Sequence, residues 1–302
     1  MIIWDNLFRG RMDKDFKDLI KRGNVEFIKV DLTKMDALDD LEKDFECVYH
    51  LAAINGTRYF YEIPEKVLEV NVKCLINVLE ASVSAGIKRL LFSSSSEVYN
   101  VPETVPTPET ERLLIPDVTN PRFSYAGSKI IGELFCLNYG KKYGIESIIV
   151  RYHNIYGPRM GLEHVIPEFI LRMKELSGDF KNRKFDFPIQ GSGEETRAFC
   201  YVTDAVEGTV IAAERGKAGE IYNVGNDREE VKIRQLANLM AKILDVDITI
   251  KPGELKKGGT PRRCPKIDKL RKLGYEPKVS LEQGIKETIK WYMDHWEGIK
   301  PH

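Results

Sequence analysis

With 302 residues, 42% hydrophobic and 30% charged, the chain is long enough for one large folded domain or two smaller ones. Its 46 Lys+Arg balance 46 Asp+Glu, and zero net charge argues against a general nucleic-acid or membrane-surface binder. No apolar run approaches the ~20 residues of a membrane span, and five scattered cysteines without a C-x-x-C point to a reducing cytosol and away from a zinc site.

The opening "MIIWDNLFRG" reads as a short strand ending in Asp5 and running into a loop with Asn6 and Gly10. "NVEFIKVD" (24–31) predicts a second strand and "KMDALDDLEKD" a short helix with Met35, Leu38 and Leu41 apolar. "CVYHLAA" is a buried strand. "PEKVLEVNVKCLINVLEASVSAG" is a long helix with proline at its start and Gly86 at its end, the usual asymmetry. "IKRLLFSSSS" predicts the next strand, "SYAGSKIIGELFCLNYGKKYG" a helix closed by Gly144, and "IESIIVRYHN" a further strand. Strands that are nearly apolar throughout and alternate with helices imply a parallel sheet covered on both faces, hence an α/β fold.

After "NIYGPRMG" the rhythm breaks. Short strands ("KFDFPIQG", "TRAFCYV", "EIYNVG", "DITIKP") mix with helices at 205–215, 231–244 and 281–292. This predicts a smaller α+β portion over the carboxyl edge of the sheet. The proline-rich stretch 100–122 is expected to be a long irregular loop, and loops of that length in compact domains usually carry function.

"SYAGSK" places Tyr125 and Lys129 four apart on a helix, therefore on one face. An ammonium beside a phenol favours the phenolate and brings its pKa from about 10 toward working pH. A phenol so tuned can exchange a proton with a sugar hydroxyl while a hydride moves to a nicotinamide. Upstream, "FSSSSEVY" ends a buried strand in four serines, poor strand formers, where α/β sheets bind ligands.

These segments, with "DNLFRG", "HLAA", "VNVKCLINVLEA", "RYHNIYGPR", "TRAFCYVTDA", "IYNVG" and "PRRCPKID" in order, resemble the extended short-chain dehydrogenases/reductases: NAD-dependent nucleotide-sugar epimerases and dehydratases. The resemblance implies a Rossmann-like sheet. Residues 1–155 plus about 196–224 would bind NAD, and about 156–195 plus 225–302 the nucleotide sugar. It implies that Asp5 and Asn6 meet the adenosine ribose, with Asp5 repelling a 2′-phosphate and so favouring NAD over NADP. Asp31 and Leu32 would flank the adenine, Leu51, Ala52 and Ala53 would pass beneath the pyrophosphate and ribose, and Asn71 would hydrogen-bond the cofactor. Tyr125 would be the acid/base, Lys129 the nicotinamide-ribose ligand, and His153 would lie beside the nicotinamide. Ser95 would hold the substrate hydroxyl. Asn154, the His164 and Val165 backbone and Arg197 would bind the diphosphate, with Arg262 or its neighbour Arg263 as a second clamp.

The implied reaction is oxidation at C4, rearrangement of the keto sugar and re-reduction. A UDP-linked sugar 4-epimerase is the favoured outcome. UDP-glucuronate decarboxylase and 4,6-dehydratase are the alternatives, kept open by Glu97, two residues after Ser95. A catalytically degenerate scaffold protein is the alternative of another class. A homodimer through helices 63–85 and 124–142 is the family's habit. The family's first strand and its G-x-x-G-x-x-G turn have no counterpart before Asp5. The expectation is that the sheet lacks its first strand, between the strands ending at Asp5 and at "HLAA".

Overall fold

The computed structural model describes residues 1–38, 45–254 and 258–296. β1 (Ile2–Asp5) leads through α1 (Lys14–Ile20) to β2 (Glu26–Lys29), and the two strands pair in parallel. The helix expected after β2 is a single 3-10 turn at Met35–Leu38; Leu41 lies outside the described residues. β3 (Cys47–His50), α2 (Thr57–Glu62) and α3 (Pro64–Ser84) follow, with Pro64 seated in the first turn of α3 as expected. Then come β4 (Arg89–Ser95), α4 (Ser124–Tyr143) and β5 (Glu146–Tyr152). α4 ends at Gly144, whose φ of +78° supplies the left-handed cap. Between β4 and α4 the 100–122 stretch is largely irregular, as its prolines predict.

The second half contributes β6 (Ile155–Tyr156), α5 (Val165–Leu176), β7 (Lys184–Ile189), β8 (Thr196–Ala198), β9 (Cys200–Tyr201) and α6 (Val202–Arg215). It continues with β10 (Ile221–Val224), β11 (Glu230–Lys232), α7 (Ile233–Ile243), β12 (Asp247–Pro252), β13 (Arg262–Arg263), α8 (Asp268–Arg271) and α9 (Leu281–Asp294). α1, α2, α5 and α8 are not among the predicted elements.

The central sheet is parallel, in the order β10-β5-β4-β3. Side chains alternate across it as strand geometry requires. Leu90 and Phe92 join Leu75 and Leu79 of α3 and Cys136 of α4, while Leu91 and Ile148 face Ile211 of α6 and Leu270 of α8. Burying a side chain such as Leu75 completely contributes about 1.5–3 kcal/mol. A separate core joins α5, α7 and α9 over β7, with Ile166, Phe187, Met240 and Ile285 at its centre.

β1 and β2 form a sheet of their own. Trp4 of β1 and Val48 of β3 pack against the same cluster, yet no ladder joins the two strands. Each therefore presents an edge of backbone groups with no strand partner among the described residues. β1 itself stands where the sequence placed it.

Candidate active site

Each serine at the end of β4 has a different task. The Ser93 carbonyl accepts from Lys129 Nζ at 2.6 Å, and Ser94 Oγ donates to Glu133 Oε1 at 2.5 Å. Ser95 Oγ accepts from the Glu97 amide at 3.2 Å, turning the chain out of the strand. Across from them, α4 presents Tyr125, Lys129 and Glu133 at four-residue intervals on one face. Glu133 is in turn gripped by Arg151 of β5, through Nε at 2.9 Å and Nη2 at 2.6 Å.

The expected lowering of the phenol pKa by the ammonium is not what the structure has. Burial, and then the Glu97 charge, raise the Tyr125 pKa, with a Ser95 hydrogen bond pulling the other way. The phenol stacks on Phe60 of α2, ring centroids 4.8 Å apart. Lys129 turns its ammonium to Ser93, and burial brings its own pKa down to about 8. At rest Tyr125 is a neutral proton donor.

Beside this group opens a cleft of about 1200 Å³ between the sheet's carboxyl edge and α5, lined by Glu97, Arg122, Asn154, His164, Arg197 and Arg263 among others. Arg263 Nη1 donates to Glu97 Oε1 at 2.8 Å, and Arg122 Nη2 lies 3.6 Å from Glu97 Oε2. Burial by itself would raise the Glu97 pKa; the charges of Arg263 and Arg122 outweigh it and hold the carboxyl at about 2. Arg197 is held by the Thr196 carbonyl, and burial followed by the Arg263 charge lowers its pKa to about 10. Three guanidinium groups thus face one carboxylate. The Nε atoms of Arg122 and Arg263 are buried without a hydrogen-bond partner, which is costly unless something else accepts from them.

Of the expected substrate residues, Glu97, Asn154, His164, Val165 and Arg197 line this cleft. Asn154 adopts φ +45° and donates to the Ala198 carbonyl at 3.0 Å. His164 caps α5 with its backbone alone, and burial lowers its imidazole pKa to about 4. Ser95, Tyr125 and Lys129 do not line the cleft: Ser95 accepts from the Glu97 amide, the Glu97 charge reaches Tyr125, and Lys129 is buried on Ser93. Arg262 corrects the expectation: it is half exposed and pairs with Glu230 at 2.8 Å, away from the cleft. Adjacent strand residues point to opposite faces, and Arg263 takes the inward one. Arg122, which sequence reasoning passed over, ends a proline-rich stretch that also holds Arg112. Its proximity to Glu97 appears only in three dimensions.

The cofactor-side residues divide. Asp5 Oδ1 accepts from the Leu7 amide at 2.6 Å. Asn6 spends its side-chain oxygen on the Phe8 amide. Asp31 binds the Thr33 amide and hydroxyl, which lower its pKa. Leu51 is exposed, and Ala52 and Ala53 are half-buried, at the end of β3. Three more lie in enclosed surroundings. Leu32 is a core residue, 8% exposed. Asn71 has its amide committed to Ile54 N at 2.7 Å, Ile54 O at 3.3 Å and Ser128 Oγ at 3.1 Å, so it shapes the loop after β3. His153 is fully buried against Asn223, 3.0 Å from its Oδ1, and burial holds its pKa at about 3. The remaining set fits a nicotinamide nucleotide: Lys129 has three N–H donors and Ser93 takes one, which leaves donors for a ribose diol.

Comparison with known proteins agrees with this geometry. The chain is 35% identical over 303 residues to UDP-N-acetyl-alpha-D-glucosaminuronate decarboxylase of Bacillus cytotoxicus, covering 97% of this chain and 89% of that protein. Its fold matches the UDP-glucose 4-epimerase of Thermotoga maritima with UDP-glucose at a TM-score of 0.85, with 28% identity, 98% of this chain and 91% of that one. It also matches a dTDP-glucose 4,6-dehydratase of Streptomyces venezuelae with NAD bound at a TM-score of 0.86, with 26% identity, 99% of this chain and 89% of that one. The family model for NAD dependent epimerases/dehydratases matches residues 3–225, and the chain belongs to that family.

Proposed function

We propose that this enzyme decarboxylates a UDP-linked hexuronate through a transient 4-keto sugar. The observation that carries the reading is the Glu97–Arg263–Arg122 cluster in the substrate cleft. Two guanidinium groups with free, buried Nε–H donors suit a substrate carboxylate at C6. A 4,6-dehydratase needs a base for the C5 proton, and a carboxyl held at about 2 by two arginines is a poor one. A plain 4-epimerase has no use for cations at C6. The 35% identity to a hexuronate decarboxylase supports the same choice, and it replaces the 4-epimerase favoured from the sequence.

In this account Asn154, the α5 amino end and Arg197 hold the diphosphate, while Arg122 and Arg263 orient the carboxylate. Tyr125 and Ser95 meet the C4 oxygen. When bound, NAD would supply the acceptor and later the donor of the C4 hydride, and positive charge that favours the phenolate. Tyr125, once its own proton has passed to solvent, takes the C4 hydroxyl proton as the C4 hydrogen leaves as hydride. The resulting 4-keto acid carries its carboxylate on the adjacent carbon. Its C5–C6 bond breaks, carbon dioxide departs, and the electron pair rests on the C4 oxygen, where the Tyr125 and Ser95 hydroxyls stabilise it. C5 then takes a proton from solvent, and as C4 recovers its hydride Tyr125 returns the proton to the C4 oxygen.

Asp5 favours NAD over NADP by repelling a 2′-phosphate. The NAD pyrophosphate would cross the carboxyl ends of β1 and β3. We read the exposed Leu68, Ile131 and Leu134 of α3 and α4 as a dimer face. Among the described residues no helix is long and apolar enough to cross a membrane. The test is mass spectrometry of products from a panel of UDP- and GDP-linked hexoses and hexuronates with NAD. Loss of carbon dioxide from a UDP-hexuronate supports the reading; epimerised hexose with every hexuronate untouched refutes it.

A further inference from the structure

α5 begins in the substrate cleft with an unusual neighbour. His164 caps the helix without a side-chain bond; Pro167 has no N–H and the Glu168 amide bonds to the His164 carbonyl, which leaves the Val165 and Ile166 amides of this 12-residue helix for an anion. Arg197 lines the same cleft, and the unpartnered Nε–H of the nine-tenths-buried Arg263 further along it marks the cleft as built for anions. Yet Glu163, one residue before the cap, also lines it, with its side chain only 12% exposed. A carboxylate at that position is drawn to the same helix end and repels a phosphate from it.

The structure shows where that charge goes. Arg9, in the loop after β1, places Nη2 3.3 Å from Glu163 Oε2. Its guanidinium lies over the Tyr59 ring of α2, 5.6 Å from the centroid. The pair closes over Gly161, where a Cβ would collide with both Glu163 Oε2 and Arg9 Nη2. On the other side Glu163 rests on Gly56, which has φ +131° and leaves only 3.4 Å between an added Cβ and the Glu163 Cβ. A second ion pair, Arg159 Nε to Asp13 Oδ2 at 2.8 Å, ties the far end of the same loop to the segment before α5. The loop that starts at Asp5 is thus fastened twice to the edge of the substrate cleft.

We propose that Arg9 is a positioning residue for substrate binding: it holds the Glu163 carboxylate off the amino end of α5 and so leaves that end free for a phosphate of the nucleotide sugar. The inference rests on the nucleotide-sugar reading above. Arg9 touches no reacting atom, and its effect runs entirely through the Glu163 charge. Because Arg9 lies four residues beyond Asp5, the order of the cofactor-side loop is felt at the substrate phosphate.

The test is calorimetric titration of the 302-residue protein with UDP. Arg9→Ala is expected to weaken UDP about tenfold, the scale of one uncompensated carboxylate near a phosphate at a protein surface. Arg9→Lys keeps the charge and should stay within about threefold of the unaltered protein. Glu163→Gln added to Arg9→Ala should restore affinity to within about threefold, which a merely structural Arg9 would not allow. In turnover, KM for the nucleotide sugar should rise in Arg9→Ala with kcat unchanged. A double variant that binds UDP as weakly as Arg9→Ala alone would overturn the inference. Failure of UDP to bind the unaltered protein would overturn the nucleotide-sugar reading, and this inference with it.

Discussion

Arg263 Nη1 donates to Glu97 Oε1 at 2.8 Å, joining residues 166 apart in the chain at the mouth of the substrate cleft. The pair decides what each member can do. Glu97 is held ionised with a pKa of about 2 and is too weak a base to abstract a carbon-bound proton at neutral pH. Arg263 keeps an unpaired Nε–H for a second anion. Arg263→Ala should therefore lower kcat/KM for the UDP-hexuronate by about 10²-fold or more, roughly 3 kcal/mol. Arg262→Ala, on the outward face of β13, should leave it within about twofold. Steady-state kinetics on the two variants separates these neighbours.

Tyr125→Phe should reduce turnover by about 10²–10⁴-fold, the usual worth of a positioned proton donor. The ring remains to stack on Phe60, so the fold is kept. A folded variant with full activity, checked by circular dichroism and by the product assay, would remove Tyr125 from the mechanism.

Acid should weaken the fold through two histidines. Burial lowers the pKa of both His50 and His153 from 6.5 to about 3, with the Lys129 charge adding to the effect at His50. The unfolded chain then binds protons that the native protein refuses. Stability is complete above the unfolded pKa and is lost as pH falls through the window from 6.5 to about 3. At pH ~5 each histidine should have cost about 2 kcal/mol relative to pH ~7. Urea unfolding at the two pH values measures this, and His50→Phe should shrink the pH-dependent loss by about that amount. An unchanged loss in the variant would mean His50 is protonated in the native protein.

The Arg151–Glu133 pair is almost fully enclosed, with 3% and 4% of the side chains exposed, and Arg151 also donates to Tyr99 Oη at 2.9 Å. Glu133→Ala would leave the guanidinium buried without its counter-charge and should cost about 3–5 kcal/mol in chemical denaturation. A loss below about 1 kcal/mol would show that the pair contributes little net stability.

Much of this was legible in the chain, for reasons that differ by residue. Four-residue spacing fixes Tyr125 and Lys129 on one helix face whatever the tertiary context. An unbroken apolar stretch inside a short run between helices is hard to mistake, and β4 and β5 sit where they were read. α5 escaped although Val165, Phe169 and Met173 keep helical spacing, because glycine and proline just upstream suggested continuing loop. α2 escaped because "RYFYE" has no clear apolar period. The choice between Arg262 and Arg263 depends on the phase of a two-residue strand, which pairing with β8 sets. The lowered phenol pKa was wrong for a tertiary reason: Lys129 binds Ser93, and Glu97 approaches Tyr125 from outside its helix.

The central claim is a 4-keto intermediate that loses carbon dioxide, and its isotopic signature is the most direct measurement. The enzyme would be run with NAD and a UDP-hexuronate in heavy water, and the product read by nuclear magnetic resonance. The account predicts a UDP-pentose with one solvent deuterium at C5, the carbon that lost its carboxyl, and the original hydrogen returned to C4. A UDP-hexuronate recovered with its carboxyl intact and C4 inverted would contradict it.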